Sequence, residues 1–305
     1  MKIRVLGSAA GGGFPQWNCN CPMCDGHRRG AITSTSRTQS SIIVSDTGVD
    51  WVLFNASPDI LTQIQACPVL QPARAKRDTG IKSIVLMDAQ IDHTTGLLML
   101  REHKSPLSIW CTEPVREDLS QGNPLFGVLE HYCGIDWHEL VPGESEVSIP
   151  GADTIAMKTL PLTSNAPPYS PHRDKPVLGD TLGMLMTDTE SGKRVFYAPG
   201  LGEMESHVWA AMQTADVVLV DGTMWTDVEM ISNGLSQKTA RSMGHLPQSG
   251  PGGMIEWLDK LPGSTRKILI HINNSNPILD ENGEQRAILK EHGIEVASDG
   301  LEIEI

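Results

Sequence analysis

Seven residues, Met87-Asp88-Ala89-Gln90-Ile91-Asp92-His93, constrain this chain more than any other stretch. They follow the apolar run Ile84-Val85-Leu86, which reads as a buried strand, and they open a helical pattern over 92–102. Two further polar residues share this placement: Asp221 ends the run Val217-Val218-Leu219-Val220, and His271 ends Ile268-Leu269-Ile270. Sites in layered α/β proteins gather at the carboxyl ends of strands, so Asp88, Asp221 and His271 are expected to converge at one edge of the core. Asp92 and His93 lie on the turn just beyond the first of those strands. Taken singly, Asp92 reads as a helix cap and His271 as a satisfied buried histidine. Taken together, they read as a site.

Strand-like runs recur around 3–5, 41–44, 52–54, 84–86, 107–110, 154–158, 182–186, 195–197, 217–220 and 268–270. Helical patterns fall between many of them, around 59–66, 92–102, 124–132, 205–214, 253–261 and 284–292. The first half is strand-heavy before its helices, which argues against simple βαβ alternation. Two sheets covered outside by helices fit better. A length of 305 residues suffices for one large core, and one domain over 1–305 is expected. The Pro-rich stretch 165–176 reads as a long loop, either a lid and substrate-contact segment or an ordinary surface connection.

A formal net charge of −13 argues against nucleic-acid binding, which needs Lys and Arg to replace phosphate counterions. No run of about 18 apolar residues is present, so no insertion into a bilayer is expected. The start, Met-Lys-Ile-Arg-Val-Leu-Gly, has neither the apolar stretch nor the cleavage site of a signal peptide, and a cytoplasmic location is expected. In a reducing compartment, clustered cysteines favour metal over disulfide. Cys19-Asn20-Cys21-Pro22-Met23-Cys24 therefore reads as three thiolates of a structural Zn2+ site, with His27 a local candidate for the fourth ligand. Cys67, Cys111 and Cys133 stand alone and read as small core hydrophobes. Gly11-Gly12-Gly13 lacks the following residues of a phosphate loop and reads as a flexible turn.

The turn at 88–93 resembles that of the metallo-β-lactamase superfamily, which carries His-x-His-x-Asp-His at such a place. The first two histidines serve one metal and the Asp-His pair a second. Here Asp88 and Gln90 replace the first pair, while Asp92-His93 is intact. The segment Leu160-Pro161-Leu162-Thr163-Ser164 resembles the place of a further first-metal histidine and holds none. Asp221 matches the carboxylate that bridges both metals, and His271 matches the late histidine of the second site. The resemblance implies an α/β fold, the αββα four-layer sandwich, with one metal held by Asp92, His93, Asp221 and His271. Two imidazoles with carboxylates and open positions suit Fe2+, and zinc or manganese would also bind. A two-metal hydrolase needs a bridging nucleophile between paired ions, which this set does not favour. Asp88 is left to orient a ligand or to act as a general base. In related cyclic phosphodiesterases of phosphonate metabolism, a histidine three residues past the late one completes the Cys site; that position here is Asn274.

Five motifs in combination narrow the match: Gly11-Gly-Gly-Phe-Pro-Gln-Trp-Asn-Cys-Asn-Cys-Pro-Met-Cys24, Met87-Asp-Ala-Gln-Ile-Asp-His-Thr-Thr-Gly-Leu97, Tyr197-Ala-Pro-Gly200, Met243-Gly-His-Leu-Pro247 and Ile270-His-Ile-Asn-Asn-Ser-Asn-Pro277. Together they resemble the pyrroloquinoline quinone (PQQ) biosynthesis protein B family, from end to end of the chain. That resemblance implies a role in making the redox cofactor from a glutamate–tyrosine pair of a precursor peptide, by iron-dependent ring hydroxylation. A carrier role toward the periplasm is an older assignment for the family, and a retained hydrolase is a third reading. The implied partner is a small, peptide-derived precursor carrying several carboxylates, with Arg173 and Lys175 of the Pro-rich loop as its partners and Gln90 as a further contact. His245 is implied as an acid–base or metal-orienting group. Assembly into a homo-oligomer is left open.

Overall fold

An apolar run with no polar face must be covered on both sides, and the strands ending at 86, 220 and 270 are of that kind. The computed structural model, which describes residues 1–143 and 146–305, stacks them in two seven-stranded sheets. The first contains β1 (Lys2–Gly7), β2 (Ser41–Ser45), β3 (Trp51–Phe54), β4 (Ile81–Val85), β5 (Leu107–Cys111), β6 (Ile135–Glu139) and, from the chain's far end, β14 (Glu302–Glu304). The second contains β7 (Val147–Ile149), β8 (Ala152–Pro161), β9 (Leu182–Asp188), β10 (Arg194–Ala198), β11 (Val217–Asp221), β12 (Arg266–Ile270) and β13 (Ile294–Val296). Their orders are β14-β1-β2-β3-β4-β5-β6 and β13-β12-β11-β10-β9-β8-β7. Each sheet is antiparallel in one half and parallel in the other, from β3 to β6 and from β10 to β13.

Successive residues of a strand face opposite ways, and the core divides accordingly. Val85, Met87, Val217, Leu219, Ile268 and Ile270 meet between the sheets, with Phe54, Met184 and Tyr197. Ile84 and Leu86 face outward against the helices Ile60–Ala66, Glu113–Glu117 and Leu125–Leu129. Val218, Val220 and Leu269 face outward against Ser206–Gln213, Met254–Leu258 and Glu284–Glu291. Each such side chain, fully buried, contributes roughly 1.5–3 kcal/mol. The result is helix, sheet, sheet, helix, as the resemblance implied. Among the described residues, no helix is long and apolar enough to cross a membrane.

The expected helix over 92–102 is corrected by the structure. One α-turn, Ile91–Thr94, passes into the tighter 3-10 stretch Thr95–Leu100. Gly96 is the cause: its N–H donates to the Ala56 carbonyl at 2.9 Å instead of continuing the helix. A Cβ there would lie 2.1 Å from the Ser57 carbonyl oxygen, so only glycine lets the two segments approach. This contact presses the 91–94 turn onto the end of β3, where the Ala56 N–H also bonds the His93 carbonyl at 2.7 Å.

Candidate metal centre

The parallel strands β4, β11 and β12 end at one rim of the sandwich. The Leu182 N–H donates to the Met87 carbonyl at 2.8 Å, and an isolated bridge pairs Asp88 with Thr181, joining the two sheets at that rim. Beneath the bridge lies a cavity of about 310 Å³ whose lining includes Asp88, Gln90, Asp92, His93, His245 and His271.

Asp92, His93 and His271 each bring one donor atom within 4.8 Å of the others. Asp92 Oδ2 is 3.3 Å from His271 Nε2 and 3.7 Å from His93 Nε2. Ligands about 2.1 Å from one tetrahedral ion stand roughly 3.4 Å apart, so this spacing fits a single metal. His93 Nε2 is buried and, among the described residues, has no hydrogen-bond partner, although its other nitrogen, Nδ1, is 2.8 Å from Asp88 Oδ1. A buried imidazole nitrogen left bare beside a carboxylate is what a metal ligand looks like before its ion arrives.

The charges agree. Burial opposes ionisation of His93, but Asp88 and Asp92 outweigh it and lift its pKa to about 9. Burial likewise opposes the Asp92 carboxylate, and His93 and His271 hold it below the usual range nonetheless. His271 sits at φ 60°, a left-handed backbone that a β-carbon disfavours. Thr223 holds it there, with Oγ1 2.9 Å from both the His271 carbonyl and its Nδ1. Strain at a residue so tightly held is common where side-chain aim matters.

Asp221 forms a second group of candidate ligands with His245 and His271. Its carboxylate is fully buried and already engaged on both oxygens. Oδ2 accepts from the Leu201 N–H at 2.9 Å and lies 2.7 Å from His245 Nδ1; Oδ1 accepts from the Thr223 N–H at 2.9 Å and Oγ1–H at 2.6 Å. Burial opposes this charge, and His245 first among its neighbours holds the pKa down. To ligate a metal, Asp221 would have to share or release one of these donors. His245, opposed by burial but raised by Asp221, is steered through Nδ1 so that Nε2 remains for the cavity.

The other sequence-predicted residues fall into place unevenly. Gln90 lines the cavity, its amide nitrogen donating to the Asn165 carbonyl at 3.0 Å. Arg173 lines it too and donates to the Ala166 carbonyl, whereas Lys175 is exposed and is not among the lining residues. The Pro-rich loop is pinned from both sides: the Tyr169 hydroxyl donates to the Ala89 carbonyl, and Asn165 Nδ2 donates to the Ser242 carbonyl at 3.0 Å. Gly11 is no mere turn, because a Cβ there would lie 3.3 Å from the Asp92 carboxyl group. Sequence reasoning missed Thr223, Lys238 and Asn273, which also line the cavity. For Thr223 alone a signal existed, a hydroxyl two residues beyond a strand-end aspartate.

The cysteine motif forms a separate cluster. The sulfurs of Cys19, Cys21 and Cys24 lie within 4.8 Å of one another. Asn274 Nδ2 of the side chain is 3.3 Å from Cys24 Sγ, and the Asn274 backbone carbonyl oxygen is 3.5 Å from Cys21 Sγ. An amide's oxygen and nitrogen exchange places by rotation, so this contact offers an oxygen ligand to a zinc held by the thiolates. The His27 nitrogens face elsewhere, 2.8 Å from Ser34 Oγ and 3.1 Å from Ser36 Oγ. Burial pushes Cys21 up to about 12, a proton that a cation would displace. Cys67 and Cys111 are buried in the first sheet's outer core, and Cys133 packs against it.

A Beta-lactamase superfamily domain model matches residues 50–272. Coenzyme PQQ synthesis protein B of Azoarcus sp. (strain BH72) is 70% identical over 301 residues, 99% of each chain. Its counterpart in Methylobacillus flagellatus is 59% identical over 304 residues, again 99% of each. The crystal structure of Zn2+-bound PqqB from Methylobacterium extorquens superposes with a TM-score of 0.91 at 34% identity, covering 100% of both chains. A diphosphatase of the PhnP family shares the fold alone, with a TM-score of 0.68 at 16% identity over 100% of this chain and 97% of that one. Sandwich, rim and relatives agree, and this chain belongs to the coenzyme PQQ synthesis protein B family of the β-lactamase superfamily.

Proposed function

We propose that the protein hydroxylates the tyrosine-derived ring of a Glu–Tyr precursor during PQQ biosynthesis, with iron at the rim site and zinc at the cysteine site. The observation that carries this reading is the donor set. One compact group, Asp92, His93 and His271, keeps a bare buried nitrogen, while the places that resemble those of a second metal hold Asp88 and Gln90, and the segment 160–164 holds no histidine. Fe2+ bound by two imidazoles and a carboxylate supplies dioxygen activation, since that set leaves positions open.

The chain's own residues do the rest. Asp88 fixes the tautomer of His93, and Thr223 fixes the ring of His271. His245, oriented by Asp221, holds and moves a proton at Nε2. Arg173 and Lys238, on different loops of the cavity lining, meet the precursor's carboxylates. The pinned 164–173 loop lines the cavity with Ser164, Asn165, Pro168 and Arg173 and would limit the entry of water there. A two-metal hydrolase fits less well, because Asp88 is committed to His93 and the Gln90 amide to Asn165.

The test is anaerobic purification and Fe2+ reconstitution, followed by metal analysis and oxygen uptake with the Glu–Tyr precursor and an external reductant. One zinc and one iron per chain, with uptake lost in His271→Ala, supports the reading. Zinc alone, with no oxygen consumed, overturns it.

A further inference from the structure

The segment that follows His271 carries a polar chain the metal chemistry does not use. Glu229 is buried, 4% exposed. Its Oε2 accepts from the Trp225 N–H at 2.6 Å, and its Oε1 accepts from the Ser275 hydroxyl at 2.6 Å. With its hydrogen directed at Glu229, the Ser275 oxygen accepts from Asn273 Nδ2, also at 2.6 Å. The same nitrogen faces Met230 Sδ at 3.4 Å. Asn273 is itself pinned, its N–H donating to the Thr223 carbonyl at 3.0 Å, and it lines the metal cavity.

An isolated asparagine presents either its oxygen or its nitrogen to a neighbour, because the amide rotates. Here the carboxylate can only accept, so Ser275 must donate to it, and Asn273 must donate to Ser275. The amide nitrogen is thereby committed, and Oδ1, at a residue that lines the cavity, has no hydrogen-bond partner among the described residues. We infer that Asn273, held in one orientation by Ser275 and Glu229, accepts a hydrogen bond from an N–H or O–H group of the ligand and so selects for a ligand bearing such a donor beside the metal. The ligand's identity as an amine- and phenol-bearing precursor rests on the function proposed above. Asn273 is the specificity-determining residue; Ser275 and Glu229 are positioning residues.

Glu229→Gln isolates the orientation. Glutamine keeps the Trp225 contact only by placing its oxygen there, which turns its NH2 toward Ser275. Ser275 then donates onward, and Asn273 must rotate to present its nitrogen to the cavity. The cavity wall is unaltered in shape, and only its polarity changes.

Metal-loaded wild type, Asn273→Ala and Glu229→Gln are titrated with the Glu–Tyr precursor and with an analogue whose amine is quaternised and whose phenol is O-methylated, so that neither can donate. Burial pushes the Glu229 carboxyl up to about 7, so the titrations are run at a pH above that value, with zinc and iron content and thermal midpoints recorded. Wild type is expected to prefer the donor-bearing ligand by about tenfold, and both variants to lose that preference with metals retained. A preference unchanged in both variants overturns the inference. If wild type binds neither ligand, the substrate class proposed above fails instead, and NMR of the Asn273 side chain decides the inference. An amide nitrogen contacting Ser275 in wild type but not in Glu229→Gln supports it, and a nitrogen facing the cavity in wild type overturns it.

Discussion

His93 Nδ1 lies 2.8 Å from Asp88 Oδ1, which leaves His93 a single nitrogen, Nε2, for a metal. Through this contact Asp88 orients His93, the residue proposed above to ligate the metal. Asp88→Asn keeps the shape and removes the charge. It is expected to weaken Fe2+ binding about 10–100-fold while the cysteine zinc is retained. Metal titration of both sites, read separately, checks this.

Asp221 buttresses four donors from inside the sandwich. Removing it leaves the Leu201 and Thr223 N–H groups without an acceptor and His245 without its anchor. Asp221→Ala is therefore expected to cost about 3 kcal/mol of stability as well as metal. Denaturant unfolding of the metal-free proteins separates the two effects, because the loss of stability persists without any ion.

Glu229 gives a pH dependence of defined sign. Burial raises its pKa from 4.5 to about 7, so the folded state holds the proton more tightly than the unfolded chain does. Below the lower value there is no penalty; stability falls as pH rises between the two and the loss is complete above the upper one. The full effect is about 3 kcal/mol at most. Glu229→Gln removes it, so the variant's stability relative to wild type should grow from pH 5 to pH 8. Urea unfolding at the two pH values measures this difference.

Of the cationic residues near the cavity, Arg173 and Lys238 line it and Lys175 does not. Arg173→Ala and Lys238→Ala are each expected to raise KM for the precursor about tenfold with kcat little changed, as removal of a charge-assisted hydrogen bond does. Lys175→Ala should stay within about twofold, as surface substitutions do. Steady-state kinetics on the three variants distinguishes lining residues from loop charges.

Asp92, His93, Asp221 and His271 are legible in the sequence because each sits at or just past the end of an apolar run, and parallel strands deliver such ends to one rim. The layered fold is legible for the same reason, since runs with no polar face need cover on both sides. His245, Lys238 and Asn273 are harder to read. Their positions depend on the path of irregular segments between β11 and β12 and after β12, where no periodicity marks which side chain turns inward. Gly11 reads as part of a flexible turn and Gly96 as part of a helix in the sequence, whereas each admits a close approach, to the Asp92 carboxyl group and to the Ser57 carbonyl. The 92–102 segment has the apolar spacing of a helix, and a tertiary hydrogen bond to Ala56 overrides it.

Ring hydroxylation is tested most directly by supplying isotopically labelled dioxygen to the Fe2+-loaded protein with the Glu–Tyr precursor and a reductant, and reading the product by mass spectrometry. Label from dioxygen in the ring, lost in His271→Ala, is the predicted result. An unlabelled ring oxygen, drawn from water instead, or a cleaved product formed with no dioxygen consumed, would contradict it.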